Sequence, residues 1–148
     1  SSSEFSGKTY ADQKNRFVPS QSLAMTKLGC PFAAFGAPEN LFDANTVQVM
    51  SEDTAMKVWL YGDTAQSSGK TVLTRVGDVN IEQPTFVPNP EKFVSGYLAN
   101  YSGRQYFVIQ GHPANWTDAR WHEFVRLIDW LQASGFTFTT PQELAASL

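Results

Sequence analysis

Cysteine is almost absent: Cys30 stands alone, so the chain closes no internal disulfide and builds no cysteine-based zinc site. Beside Pro31, it reads as a small buried hydrophobe. Histidine is nearly as scarce, with only His112 and His122. Positive charge is in deficit, since 11 Lys and Arg face 14 Asp and Glu for a formal net charge of −3. That leaves no basic footprint for a phosphate backbone, and nucleic acid is not an expected partner. No apolar run approaches the roughly 20 residues needed to cross a bilayer, so no membrane partner is expected either. Internal repeats at the roughly 20- to 50-residue periods of solenoids and propellers are also missing.

What is present is an apolar, aromatic-rich chain. Its 148 residues, 42% hydrophobic, predict a single domain with a real core. The 14% aromatic content, including four tryptophans, suits either core packing or a sugar-stacking surface. The chain opens on Ser1, Ser2 and Ser3 rather than methionine, which points to a processed product or part of a longer reading frame.

Local signals divide the chain into strands, tips and helices. Thr9 with Asp12 caps a helix carrying Tyr10, Phe17, Ala24 and Leu28, which Pro19 should kink or divide and Gly29 should end. Phe32 to Phe35 reads as a short strand before a tight tip, and Asp43 caps a helix bearing Val47 and Met50. Lys57 to Tyr61 is a further strand, and Gly62 to Lys70 is a loop by composition. Val72 to Val76 and Ile81 to Phe86 suggest two short strands around a turn at Gly77 and Asp78. Asn89, Pro90 and Glu91 then start a helix with Phe93, Val94, Tyr97 and Leu98.

The stretch Tyr106 to Leu144 carries the strongest pattern. Tyr106 to Ile109 suits a buried strand that Gly111 and Pro113 end, placing His112 just past the strand end, where α/β folds build their sites. Thr117 caps a helix whose apolar positions are Trp121, Phe124, Val125, Ile128 and Leu131, with Gly135 as a left-handed stop. Phe136 to Thr139 alternates as a strand does. Thr140, Pro141, Gln142 and Glu143 form a capping box that opens a last helix.

A histidine followed by proline after a strand, a tryptophan, a helix with F..LIDWL spacing, a glycine and F.T..EL together resemble the C-terminal end of polysaccharide deacetylases of the NodB-homology group. Phe35, Pro38 and Asn40 followed by Asp43 and Thr46 resemble a further conserved segment of that family. Where the family has an arginine this chain has Gly36, and where it has an aromatic this chain has Glu39. The resemblance implies an α/β fold, an incomplete (β/α) barrel with a mostly parallel sheet flanked by helices. It also implies a hydrolase that removes N-acetyl groups from carbohydrate, with His112 as the general acid and Pro38, Asn40 and Trp116 as substrate contacts. A secreted or periplasmic setting is implied by the same likeness.

The family's metal ligands, an aspartate and two paired histidines, have no counterpart: there is no Asp-Asp dipeptide, and His112 and His122 are ten residues apart. The start of the chain, SSSEFSGKTYADQ, resembles the family's segment just downstream of those ligands, so the expectation is the C-terminal part of a barrel. No cofactor is expected in this chain, and zinc or another divalent ion only where the upstream ligands are supplied. A parallel sheet with open edges needs cover, which predicts a homo-oligomer or a chain bringing the missing half.

Other readings stay open beside this one. His112 also fits an ordinary loop histidine, and His122, with Arg126 and Asp129, a solvated helix face. Asp63, Asp78 and Asp118 fit turn and cap positions better than orienting carboxylates. Trp59 lies in a strand pattern and suits core packing more than sugar stacking. The alternative to the hydrolase is a non-catalytic carbohydrate-binding or oligomeric α/β domain.

Overall fold

The computed structural model describes residues 3–61, 66–76 and 79–148. The chain forms two compact units, Ser1–Thr74 with Thr139–Leu148, and Arg75–Phe138. The expected turn at Gly77 and Asp78, and Asp63 in the expected loop, lie outside the described residues.

Unit 1 is an open three-stranded parallel sheet with helices packed on it. Its strands β1 (Ala34–Gly36), β2 (Val58–Leu60) and β3 (Thr71–Leu73) lie in the order β1-β2-β3, with Phe35 opposite Trp59 and Trp59 opposite Val72. Helices α1 (Tyr10–Leu28) and α2 (Ala44–Glu52) pack together, and α5 (Pro141–Ser147) packs on β2 and β3. The core gathers Phe5, Phe17, Val49, Met50, Met56 and Trp59. Apolar burial at roughly 25 cal/mol per Å² is its main stabilising contribution.

The caps behave as their residue types require. Thr9 accepts from the Asp12 amide, Asp43 and Thr46 form a reciprocal capping box, and Gly29 ends α1 at φ 75°. Asp43 also ties down the N-terminal loop, accepting from the Gly7 amide at 2.6 Å and from Gln13 Nε2 at 3.0 Å. These bonds hold its carboxyl below its ordinary range against the upward push of burial.

Unit 2 is built on α3 (Pro90–Asn100) and α4 (Asp118–Ala133). Its core joins Val76, Val79, Ile81, Phe93, Leu127 and Leu131, with Tyr97, Phe107, Trp130 and Phe136 as a connected aromatic set. Asn89 and Thr117 cap the two helices as expected, and Gly135 takes the left-handed conformation at φ 83°.

Several expectations are corrected. Of the two outcomes expected at Pro19, division is corrected: α1 runs through this exposed position from Tyr10 to Leu28. Tyr106–Ile109 forms no strand among the described residues, though the Val76 amide bonds the Val108 carbonyl at 3.4 Å. Phe136–Thr139 likewise forms none among the described residues, and Ile81–Phe86 is represented by an isolated antiparallel bridge between Glu82 and Pro88. Aromatic and β-branched residues from these stretches fill the unit 2 core. The expected mostly parallel sheet flanked by helices is present in unit 1 as an open sheet of three strands. Cys30 is exposed rather than buried, directly after the left-handed Gly29 that ends α1. On α4 the buried stripe is centred on Leu127 and Leu131, leaving Trp121 at 49% and Val125 at 38% exposure.

Candidate functional site

The chemistry-bearing cluster lies within unit 2 and is centred on a residue that sequence reasoning missed, Glu82. Its side chain is 3% exposed and accepts four hydrogen bonds. The His112 amide and the Trp116 indole Nε1 both donate to Oε1 at 2.6 Å. His112 Nδ1 lies 2.6 Å from Oε2, which also takes the Phe86 amide at 2.9 Å.

Local sequence explains how these groups meet. Gly111 and Pro113 flank His112, which precedes a 3-10 turn, Pro113–Asn115, and Trp116 closes that turn through its amide to the Pro113 carbonyl. A Cβ on Gly111 would stand 3.0 Å from Trp116 Cζ2 and 3.2 Å from Cη2. A larger residue there would require the indole that reaches Glu82 to give way by a few tenths of an ångström. Phe86, in the left-handed region at φ 69°, sets its ring edge-on to the His112 ring with centroids 5.1 Å apart.

Burial pushes the Glu82 carboxyl up, but the bonds from the His112 ring, the Phe86 and His112 amides and the Trp116 indole outweigh it and leave it below its ordinary value. An ionised carboxylate only accepts, so Nδ1 of His112 carries the proton in this bond. In its neutral form the ring presents Nε2 as its basic nitrogen, on a side chain 37% exposed. A buried carboxylate that fixes the tautomer and rotation of a partly exposed histidine can serve a general acid or base.

Of the residues expected to form a site, His112 and Trp116 are brought together on Glu82. Pro38 and Asn40 lie in unit 1, in the 3-10 turn Pro38–Asn40 after β1. Glu39 and Asn40 hold φ of 58° and 57° there, a conformation that asparagine tolerates better than most side chains. Asp118 is an exposed first-turn residue of α4, and His122 is exposed on the same helix. Trp59 is fully buried and packed edge-on against Phe42, which removes it as a sugar platform. Trp121, expected in the core, is instead exposed beside Trp116 with ring centroids 6.0 Å apart.

Glu82 left one trace in the sequence, as a charged residue directly after the apolar Ile81. Among the described residues, no three His, Cys, Asp or Glu side chains stand together as a metal-binding group. No protein family, curated protein or solved structure matches this chain, which leaves the chemistry of this cluster as the basis for its function.

Proposed function

We propose that the chain carries the proton-transfer part of a polysaccharide deacetylase-like site, in which His112 is the general acid that protonates the leaving amine of an N-acetylated sugar. The observation that carries this reading is the buried Glu82 carboxylate on His112 Nδ1. In this role the ring first takes a proton from solvent at Nε2, with Glu82 stabilising the charge, and Nε2 then delivers that proton to the amine nitrogen as the carbon–nitrogen bond breaks. The ring is then neutral again, with its proton on Nδ1. Trp116 is the proposed substrate contact beside His112. The fold is read as an incomplete (β/α) barrel-like domain, whose open sheet is covered by a second copy or by a chain carrying the missing half.

Hydrolysis also requires activation of the acetyl carbonyl and of water. A positioned proton donor alone contributes about 10²- to 10⁴-fold. The chain by itself is therefore proposed to turn over no substrate. The alternative, a non-catalytic carbohydrate-binding domain, is favoured by one specific observation, the exposed Trp121 ring beside Trp116.

The test is a titration with acetylated chito-oligosaccharide followed by amide and indole NMR, with acetate release measured in the same sample after zinc loading. Shifts at His112 and Trp116 without acetate release support the reading. Saturating sugar with no shift there refutes the carbohydrate assignment, and turnover refutes the claim that the catalytic set is incomplete.

A further inference from the structure

Unit 1 contains a cavity of about 290 Å³ that plays no part in the proton-transfer site. Its apolar floor is Phe5, Phe17, Phe35 and Met56. Phe35 meets Phe5 and Phe17 with ring centroids 5.5 and 5.8 Å apart, so the three rings form one packed set. Two of these core residues have a charged neighbour in sequence that lines the same cavity: Glu4 precedes Phe5 and Arg16 precedes Phe17. Neither Glu4 nor Arg16 takes part in an ion pair among the described residues.

The remaining polar lining is already engaged. Gln21 bonds the Phe32 amide and carbonyl and the Asp53 carboxylate, and the Ser20 hydroxyl donates to the Arg16 carbonyl. The loop carrying Glu4 is fixed on both sides, by Ser3 Oγ to the Phe5 and Ser6 amides and by Asp43 to the Gly7 amide. The aromatic floor and the backbone that carries Glu4 are therefore held in place before any ligand arrives. Such preorganisation lowers the cost of binding.

We infer that this cavity binds a free apolar α-amino acid, its side chain against the phenylalanine floor, its carboxylate on Arg16 and its ammonium group on Glu4. A ligand of single charge would meet one like charge at the rim, whereas a zwitterion satisfies both. The volume lies at the lower edge of the roughly 300–1,000 Å³ range for small-molecule sites, which suits a ligand of amino-acid size. The guanidinium plane matches a carboxylate in two-point geometry.

L-phenylalanine is the probe, titrated into the full chain and followed by amide NMR, with 3-phenylpropionate and phenethylamine as ligands each lacking one charge. Saturable shifts at Phe5, Arg16 and Phe35 are expected, with R16Q and E4Q each weakening phenylalanine binding by about tenfold. Phenethylamine should be weakened by E4Q but not by R16Q, and phenylpropionate by R16Q but not by E4Q. Both substituted side chains are exposed, and a far-UV spectrum checks that the variants remain folded. Absence of saturable shifts, equal affinity of R16Q and the parent chain, or phenylpropionate binding as tightly as phenylalanine would each overturn the assignment.

Discussion

Replacing Glu82 by glutamine keeps the shape of the side chain and removes its charge, and the donors around the carboxylate determine the cost. If the new amide nitrogen takes the place of Oε1, it faces two obligate donors, the His112 amide and the Trp116 indole. If it takes the place of Oε2, it faces the Phe86 amide, an obligate donor, and His112 Nδ1, which can switch tautomer and accept. The second arrangement is cheaper, because it leaves two N–H groups without an acceptor, that of Phe86 and one of the new amide, and reduces two charge-assisted bonds to neutral strength. An unsatisfied buried group costs about 1–3 kcal/mol, and neutral bonds are roughly half as strong as charged ones, so E82Q should cost unit 2 about 2–6 kcal/mol.

The pH dependence has a definite sign. The folded-state value of Glu82 lies below its ordinary 4.5, so its stabilisation is full above 4.5 and is lost as pH falls through the folded value. The gap between parent and variant should therefore be widest near neutral pH and narrow in acid. Hydrogen exchange at the Trp116 indole and Phe86 amide, read across pH, measures this locally in unit 2. Protection in E82Q equal to the parent near neutral pH would refute the reasoning.

Three further outcomes rest on single close contacts or caps. Gly111→Ala places a methyl 3.0 Å from the Trp116 ring and should cost about 1–3 kcal/mol while moving the indole N–H resonance away from its Glu82-bonded position; an unmoved resonance counts against the packing argument. Gly96→Ala, normally favourable in a helix, brings a methyl to 2.9 Å from Cγ2 of the buried Val79 and should destabilise by about 1–2 kcal/mol, an effect that the added change Val79→Ala should relieve in a double-mutant denaturation series. Asp43→Ala removes the α2 cap and the anchor of the N-terminal loop and should cost unit 1 about 1–2 kcal/mol by urea denaturation, with Asp43→Asn intermediate.

The parts legible in the sequence were those with short-range causes. Thr9, Asp43, Asn89, Thr117 and Thr140 cap the helices they were expected to cap, and Gly29 and Gly135 stop α1 and α4 in the left-handed conformation. The parts that were not legible depend on distant partners. Tyr106–Ile109 has the composition of a strand but is assigned to none among the described residues, and its Phe107 and Ile109 pack into a helical and aromatic core. Glu82 and His112 are thirty residues apart, with no local pattern linking a carboxylate before Pro84 to a histidine before Pro113. On α4, helical spacing alone placed Trp121 inside, whereas the packing centred on Leu127 leaves it exposed.

The central claim, that Glu82 holds His112 with its proton on Nδ1 and Nε2 available for transfer, is tested most directly by nitrogen-15 NMR of the His112 ring. A neutral ring protonated at Nδ1, with that proton slow to exchange in the parent chain and fast in E82Q, is the predicted result. A neutral ring carrying its proton on Nε2, or an Nδ1 proton that exchanges as freely in the parent as in the variant, would contradict it.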